Sequence, residues 1–341
     1  MKIAIHHRKG SFSDRWISYC EENNIDYKLV NAYDSDIVTQ VADCNFFMWH
    51  FHQSDYRDTQ FAKALILSLE AKGIRCFPNS HTCWYFDNKI WEKYLLEAID
   101  APLVPSYIFY TKEEAMKWVA MTNFPKVFKL KGGASASNVQ LVQTRRKAEK
   151  LINQCFGTGF SQYRWKECLK EEWRKYNEGK VGLRNVLRPL FYALKPYPTE
   201  YSHYQQKEIG YAYFQDYIKD NDSDLRVVVI GDKAIGEKRY VRKDDFRASG
   251  SGKFEYISLR EDVLQIAFST AKRLHLQSVA FDFIFRDNEP LIVEMSYGFG
   301  THGISHCKGY YTSDLQWHDK PEPNFCGWMV EILTKHNKMF K

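Results

Sequence analysis

The stretch from residue 278 to residue 305, SVAFDFIFRDNEPLIVEMSYGFGTHGIS, carries the pattern that decides the fold. Two runs rich in β-branched and aromatic residues, 280–285 and 291–295, flank a polar turn, which predicts a β-hairpin. If Phe285 pairs with Leu291, the same register places Asp282 directly opposite Glu294, on one face of the sheet. Opposed carboxylates repel each other, so this pair requires a compensating cation or hydrogen bonds.

A hard divalent cation would compensate both carboxylates. Mg²⁺ is typically held by one or two carboxylates together with the phosphates of a nucleotide, so the pair indicates a metal site beside a nucleotide. An exposed hairpin whose acids face water is the alternative, and the apolar residues around both acids disfavour it.

The composition indicates a globular protein of two or three lobes, because 341 residues with 44% hydrophobic content can bury large cores. Eight cysteines without a C-x-x-C pair indicate free thiols. No apolar run has membrane-spanning length and no signal peptide is evident, so we expect a cytoplasmic protein. A net charge of +6 does not argue for nucleic acid, and no pattern specifies an oligomeric state.

The first 80 residues alternate short apolar runs with helical spacing, which predicts a small parallel sheet flanked by helices. In open sheets of this kind, ligands bind beyond the carboxyl ends of the strands, where His7, His50 and His52 fall. These histidines are candidates to hold a carboxylate substrate. For His50 and His52 a surface location without function is the alternative.

Two lysines have notable positions in the sequence. Lys89 begins a helix predicted over 88–99, where a cation opposes the helix dipole unless an anion is bound nearby; an exposed lysine is the alternative. Lys129 lies in the strand KVFKLK, on a face expected to be mostly outside the core. The loop GGASASNV that follows can bring backbone N–H groups close to phosphate oxygens, although a hairpin turn has similar composition.

The segment 145–204 is rich in Lys, Arg, Trp and Tyr. It has no recognisable nucleic-acid motif, and its Glu residues alternate with the Lys residues, which favours a solvated helical face. The alternative roles of this segment are to cover a site or to bind a partner.

The segment 237–254, EKRYVRKDDFRASGSGKF, concentrates cations around a glycine-serine loop and suits a polyphosphate; a basic surface turn is the alternative. Gly298, Gly300 and Gly303 spell G-x-G-x-x-G, but only about forty residues follow, without a βαβ unit, which argues against a dinucleotide fold. We therefore assign this loop, with His302, to the acceptor site.

One ordered set of residues resembles the ATP-grasp superfamily, over roughly residues 75 to 306. The set consists of Lys89, Lys129 with its GGASASNV loop, FQDYI at 214–218 with Asp224 and Arg226, the segment from Arg239 to Arg247, and Asp282 with Glu294. The likeness is greatest to the branch of glutathione synthetase and the ribosomal-protein glutamate ligase. The tail resembles uncharacterised ATP-grasp proteins of bacterial surface-polysaccharide loci.

The resemblance implies an α+β / α/β architecture: an N-terminal small parallel-sheet (pre-ATP-grasp) domain and two α+β lobes enclosing ATP. The expected parts are 1–80 for the N-terminal α/β domain, 81–122 for a central helical linker, 123–217 for the lid lobe with a long helical insert at 145–204, and 218–341 for the C-terminal catalytic lobe.

The resemblance also implies roles for individual residues. Catalytic charge stabilisation falls to Arg226, Arg239 and Arg247. ATP contacts fall to Lys89, Lys129, Gly132, Gly133, Ser135, Gln215, Asp216, Tyr217, Ile218, Asp224 and Lys238. Asp282 and Glu294 are expected to bind Mg²⁺. Ser296 stands where the family usually has the Asn of Glu-x-Asn, so a second metal ion would be held more weakly. Substrate contacts are expected from His7, His50, His52, Arg242 and His302.

The implied function is that of an ATP-dependent carboxylate-amine ligase with ATP and Mg²⁺ as cofactors, acting through an acyl phosphate. Its substrates would be a small carboxylate and an amine, with a sugar acid or polysaccharide precursor suggested by the tail. A small-molecule kinase on the same fold and a nucleotide-binding scaffold without catalysis are the alternatives.

Overall fold

The computed structural model describes residues 1–133, 138–161, 163–177, 179–195, 200–242 and 245–335. The chain divides into two compact units. Unit 1 comprises residues 1–53, 57–104 and 218–341, and unit 2 comprises residues 54–56 and 105–217. Strands and helices are numbered along the chain.

Unit 1 begins with a parallel sheet of four strands in the order β2-β1-β3-β4, which confirms the predicted N-terminal sheet. Its strands are β1 (Lys2–His6), β2 (Asp26–Val30), β3 (Phe46–Trp49) and β4 (Arg75–Phe77). The helices of this region are α1 (Phe12–Glu22), α2 (Ile37–Gln40), α3 (Tyr56–Ala71), α4 (Ser80–Cys83) and α5 (Lys89–Ala98). β3 reads FFMW because side chains on both of its faces are buried.

Unit 2 contains an antiparallel sheet in the order β5-β8-β6-β7, formed by β5 (Ser106–Phe109), β6 (Lys126–Lys129), β7 (Val139–Val142) and β8 (Ala212–Asp216). Its core includes Phe128 and Phe214 from the sheet, packed with Val119 and Ile152 from two helices. The helices are α6 (Lys112–Met121), α7 (Arg145–Cys155), α8 (Trp165–Asn177), α9 (Leu183–Ala193) and α10 (Glu200–Tyr204).

Both faces of β6 are buried, and the prediction that Lys129 lies on a mostly non-core face is wrong. Lys129 is only 4% exposed. The alternation along KVFKLK correctly separates the residues of the two faces. The prediction also took one face to be exposed to solvent, but both faces are covered in the structure.

The helical segment after residue 145 has two parts of different character. α7 packs into the core of unit 2 through Ala148, Leu151 and Ile152. α8 has no buried residue, and ion pairs such as Lys175 with Glu172, at 2.7 Å, run along it, so the predicted solvated face describes α8 well.

The rest of unit 1 is a larger sheet in the order β13-β12-β9-β10-β14-β15, with β11 beside β10. Its strands are β9 (Ser223–Ile230), β10 (Lys233–Tyr240), β11 (Phe254–Glu255), β12 (Ser278–Arg286), β13 (Glu289–Ser296), β14 (Gly309–Thr312) and β15 (Trp317–Asp319). It is accompanied by α11 (Glu261–Arg273), a 3₁₀ turn (Ile304–His306) and α12 (Phe325–Thr334). Within the described ranges, no helix is both long and apolar enough to cross a membrane.

The two faces of the large sheet bury different neighbours because side chains alternate along each strand. Val227 and Phe281 point to one face, in a core shared with Val263 and Ala267 of α11. The opposite face carries Val228, packed in a second core with α1 and α12.

The β12–β13 hairpin confirms the predicted strands, but the pairing of residues near its turn differs from the predicted register. Phe285 pairs with Pro290 and not with Leu291, and that register alone would place Asp282 opposite Val293. A β-bulge between Asp282 and Phe283 shifts the pairing by one residue, and Asp282 lies opposite Glu294 as predicted.

Candidate active site

Four charged side chains lie in one row across four adjacent strands of the large sheet. Asp282 of β12 pairs with Glu294 of β13 on one side and with Arg226 of β9 on the other. Arg226 in turn pairs with Glu237 of β10. Directly paired residues share a face of the sheet, so all four project to the same side. We call these four residues, with Asp224 and Arg239 one step further along the same face, the charge row.

The same face changes character along the strands. Val228, Ile235 and Ala280 lie two residues from the row and belong to the apolar core shared with α1 and α12. The switch from apolar to charged at a two-residue spacing keeps all these side chains on one face. The charge row therefore begins where the hydrophobic packing of that face ends.

Two arginines neutralise Asp282. The Nε and Nη2 atoms of Arg226 donate to its two carboxylate oxygens at 2.8 and 2.9 Å, and Nη2 of Arg239 lies 2.7 Å from Oδ2. Arg239 also forms a two-pronged contact with Asp224, at 2.6 Å for each bond. Burial opposes ionisation of Asp282, but the two guanidinium groups outweigh it and hold the pKa of Asp282 below its usual range.

Glu237 is a member of the row that sequence reasoning missed. It is 2% exposed, and its Oε2 atom is buried with no hydrogen-bond partner in the part of the chain that the structure describes. Burial raises the pKa of Glu237 to about 7, against the opposing effect of Arg226 and Arg239. The available signal was an acid two residues before Arg239, on the same face of the strand.

The backbone at Gly303 lies directly against the Glu237 carboxylate. A β-carbon at Gly303 would lie 2.6 Å from Cδ of Glu237, so any larger residue at position 303 would displace the Glu237 carboxylate. The hydroxyl of Tyr256 donates to the Gly303 carbonyl oxygen at 2.6 Å and fixes this segment over the row.

Glu294, at the other end of the row, contacts Lys89 at 3.1 Å. α5 begins at Lys89 as predicted, and the side chain of Asn88 caps it by accepting from the N–H groups of Ile90 and Trp91. Lys89 is 4% exposed, which excludes the exposed-lysine alternative. Burial lowers the pKa of Lys89, but Glu294 and neighbouring acids outweigh burial and raise it overall.

Asp282 and Glu294 are the predicted magnesium ligands, and in the structure Arg226 and Arg239 contact Asp282 while Lys89 contacts Glu294. Asp282 and Glu294 supply two carboxylates in register, and the side chain of Glu294 is 36% exposed. No group of three or more His, Cys, Asp or Glu side chains suited to a metal occurs among the residues described, so other oxygens would have to complete the coordination. Ser296 donates its hydroxyl hydrogen to the Gly298 carbonyl oxygen at 2.7 Å.

The predicted basic loop is held largely by its own contacts. Arg242 is 4% exposed and donates to the Ser249 carbonyl oxygen from Nε at 2.9 Å and from Nη2 at 2.5 Å. Arg247 forms a two-pronged contact with Asp245, at 2.6 to 3.0 Å. Lys238 projects to the face of β10 opposite Glu237 and Arg239, and its Nζ lies 3.9 Å from Glu255.

The three N-terminal histidines, which we call the histidine cluster, have different surroundings. His50 is 8% exposed, stacks on Phe12 with ring centroids 3.8 Å apart, and accepts the Phe12 backbone N–H at Nδ1, 3.1 Å away. Burial, then the charge of Arg8, holds the pKa of His50 well below 6.5. Nδ1 of His7 lies 3.1 Å from the Ser13 hydroxyl, and the His52 backbone N–H donates to Asp58 at 2.6 Å.

His302 lies elsewhere in unit 1, on the loop that also contains Gly303. It is exposed, and its ring centroid lies 6.0 Å from that of Phe254 and 5.8 Å from that of His306.

The remaining nucleotide-contact predictions fall on unit 2 and its end. Gln215 donates to the Ser106 hydroxyl at 3.0 Å, and Asp216 accepts from Lys126 at 2.5 Å. The Gly132 carbonyl oxygen accepts from Asn138 at 3.0 Å, and Gly133 adopts a positive φ of 106°. Tyr217 and Ile218 follow β8 and are half-buried, whereas Ser135 lies outside the described residues.

Comparison with known proteins identifies one domain. Residues 203–313 match the model of the RimK-like ATP-grasp domain. A relative named probable alpha-L-glutamate ligase 2, from Shewanella sp. (strain W3-18-1), is 30% identical over 126 residues, covering 36% of this chain and 38% of the relative. The match therefore spans well under half the length of that relative.

Solved structures with the same fold cover nearly the whole chain. A RimK domain ATP-grasp protein from Sphaerobacter thermophilus has a TM-score of 0.59 at 13% identity, covering 98% of this chain and 100% of that one. D-alanine–D-alanine ligase from Bacillus anthracis in complex with ATP has a TM-score of 0.55 at 13% identity, covering 87% and 86%. These matches confirm the predicted ATP-grasp resemblance and fold.

Proposed function

We propose that this chain, which has the ATP-grasp fold and a RimK-like ATP-grasp domain at residues 203–313, is an ATP-dependent ligase that joins a carboxylate to an amine. In the proposed reaction, a substrate carboxylate oxygen attacks the γ-phosphorus of ATP, and ADP leaves. The amine nitrogen then attacks the resulting acyl phosphate, phosphate leaves, and an amide remains.

The observation that carries this proposal is the charge row. It places two carboxylates in register at one end and two arginines beside them, Arg239 buried and Arg226 half-buried, on one face of a sheet. Phosphoryl transfer requires little covalent chemistry from a protein and depends on positioned charge around the transferring group.

In this proposal Asp282 and Glu294 hold Mg²⁺. When bound, the metal ion neutralises charge on the ATP phosphates. Lys89 orients the Glu294 carboxylate through its contact at 3.1 Å, and it retains its charge because the surrounding acids raise its pKa.

Arg226 and Arg239 are proposed to stabilise the charge that develops on the transferring phosphoryl group. Each has only part of its guanidinium group engaged by carboxylates, through Nε and Nη2. Because Asp282 and Asp224 fix both groups in place, little reorganisation is needed when an anion arrives.

The names of the relatives support the ligase class. The matched relative is named a glutamate ligase, and one structural neighbour is named D-alanine–D-alanine ligase. A sugar acid or polysaccharide precursor, expected from the resemblance of the tail, stays a prediction about the acid. The ATP-contact roles of Lys129 and of residues 215–218 likewise stay predictions.

The test is release of ADP and phosphate by the purified protein with Mg-ATP, using a library of amino acids, peptides and sugar acids, with and without a pool of amines. We expect release that requires both an acid and an amine, and an amide product detectable by mass spectrometry. The Glu294→Gln variant controls for contaminating ATPases.

Two outcomes would contradict the ligase. ADP release with an acid or alcohol alone, together with a stable phosphorylated product, would identify a small-molecule kinase. ATP binding without ADP formation across the whole library would identify a nucleotide-binding protein without catalysis.

A further inference from the structure

Helix α9 presents a continuous apolar stripe to solvent. The side chains of the stripe are all large and exposed: Leu183 52%, Leu187 42%, Leu190 41%, Phe191 67% and Leu194 85%. Their spacing of four, three, one and three residues places them on an arc of about 100° around the helix axis. We call this surface the α9 stripe.

The α9 stripe is not the side by which the helix packs in unit 2. That side carries Val186 and Pro189, the buried residues of α9, and the helix packs against α8. The buried side adjoins the α9 stripe, because Val186 lies one turn before Leu190, and the stripe continues this apolar surface into solvent. Contiguous exposed apolar surface of this kind marks binding sites.

The border of the α9 stripe is cationic. Residues 179–195 contain Lys180, Arg184, Arg188 and Lys195 but no Asp or Glu, which gives four positive charges and a local net charge of +4. Arg184 and Arg188 each follow a leucine of the stripe by one residue and lie along one edge of it. Both are exposed, and Arg188 contacts a neutral partner, the Tyr192 hydroxyl, at 3.0 Å.

The neighbouring helix shows that this pattern is specific to α9. α8 also carries many cations, but acids of the same helix pair with them, such as Glu171 with Arg174 at 2.7 Å. Ion pairs of this kind engage cations of α8 with acids of the same helix, whereas Arg184 and Arg188 lie beside the α9 stripe on a helix that contains no acid.

We propose that α9 binds the surface of an anionic lipid bilayer. The α9 stripe would insert at the level of the head groups, and Arg184 and Arg188 would contact lipid phosphates. A convex face on one helix, apolar along its centre and purely cationic at its edge, matches a flat anionic interface better than it matches the groove of a partner protein. This inference is independent of the proposed ligase reaction.

The experiment is co-sedimentation of the full chain with vesicles of phosphatidylcholine alone and of equimolar phosphatidylcholine and phosphatidylglycerol. We expect sedimentation with the anionic vesicles only, and release at high salt. The double variant Leu187→Glu/Phe191→Glu should remain in the supernatant. Arg184→Gln/Arg188→Gln should weaken binding roughly thirtyfold, because each cation near an anionic surface contributes a factor of about five.

A matched control carries the same substitutions on another helix. Phe61 and Leu67 of α3 are 53% and 60% exposed and have no comparable cationic border, so Phe61→Glu/Leu67→Glu should sediment like the wild type. Circular dichroism of all variants establishes that each is folded.

Three results would overturn the proposal. The first is a wild type that stays in the supernatant at low salt, and the second is equal sedimentation of the wild type and the Leu187→Glu/Phe191→Glu variant. The third is a dimer in sedimentation velocity that this variant disrupts while vesicle binding is absent, since the α9 stripe would then bind a second copy of the chain.

Discussion

Asp282 of the charge row and His50 of the histidine cluster are both buried polar groups in unit 1, and they offset the cost of burial in opposite ways. In the charge row, Asp282 stays ionised because two guanidinium groups contact it. In the histidine cluster, His50 stacks on an aromatic ring and its pKa falls, so it remains neutral. A buried ionisable group therefore stays charged where counter-charges lie in register with it, as for Asp282, and is neutral where they do not, as for His50.

The comparison teaches which polar group keeps the charges that phosphate chemistry needs. The histidines were predicted to hold a carboxylate substrate, and that role stays a prediction. A site for Mg-ATP needs charges that persist at neutral pH in a fixed geometry. The charge row meets that requirement, whereas His50 serves the packing of α1 against the N-terminal sheet through its bond to the Phe12 backbone.

The largest effect should come from Asp282→Asn. Two arginines would lose their common counter-charge in a buried place, which is expected to lower the free energy of unfolding by about 3–5 kcal/mol. Urea unfolding measures it. Asp262→Asn is the matched control, because the Asp262 side chain is 44% exposed beside Arg260, and its loss should cost under about 1 kcal/mol. Equal losses in both variants would contradict the account of the row.

Next in size is Glu294→Gln, which removes a predicted metal ligand. Its side chain is partly exposed but supplies the counter-charge of the buried Lys89, so the midpoint of thermal unfolding should fall, by less than in Asp282→Asn. Loss of a metal-binding carboxylate should lower ADP formation by a factor of about 10² or more. Unchanged turnover at saturating Mg-ATP would remove Glu294 from the proposed site.

Glu237→Gln should change the pH dependence of stability. The pKa of Glu237 rises from 4.5 to about 7 on folding, so between these values the folded state binds more protons than the unfolded state. Wild-type stability should therefore fall as pH rises through this window, by up to about 3 kcal/mol. The variant should lack this component, and denaturant unfolding at several pH values measures the difference. Parallel curves for the two proteins would show that Glu237 ionises normally.

The smallest effect should come from His50→Phe. The variant loses the acceptor for the Phe12 N–H, which should cost about 1–2 kcal/mol of unfolding free energy at pH 8. Because the folded pKa is below 6.5, wild-type stability contributed by His50 declines as pH falls below that value, and the variant should lack this decline. Loss of ADP formation at unchanged stability would instead place the histidine cluster in the active site.

Much of the hairpin was predictable because a two-residue period and a polar turn are local signals. Asp282 opposite Glu294 followed from that period. The bulge that produces this pairing did not, since a shift of one residue depends on contacts of β12 with the neighbouring strands.

Other parts of the site depend on tertiary contacts that no short stretch encodes. The burial of Lys129 requires knowledge that both faces of β6 are covered. Glu237 was missed because its significance comes from Arg226 on β9 and from Gly303, 66 residues further along the chain. Conversely, the cations of the basic loop were predicted to suit a polyphosphate, whereas in the structure Arg242 and Arg247 contact groups of that same loop.

The most direct test of the charge row as the Mg-ATP site is calorimetric titration of ATP into the wild type and the Glu294→Gln variant, each with and without Mg²⁺. We expect Mg²⁺ to strengthen ATP binding by the wild type and to have little effect on the variant, although the variant still binds ATP. The same strengthening by Mg²⁺ in both proteins would show that the metal ion is held elsewhere, and the central claim would fall.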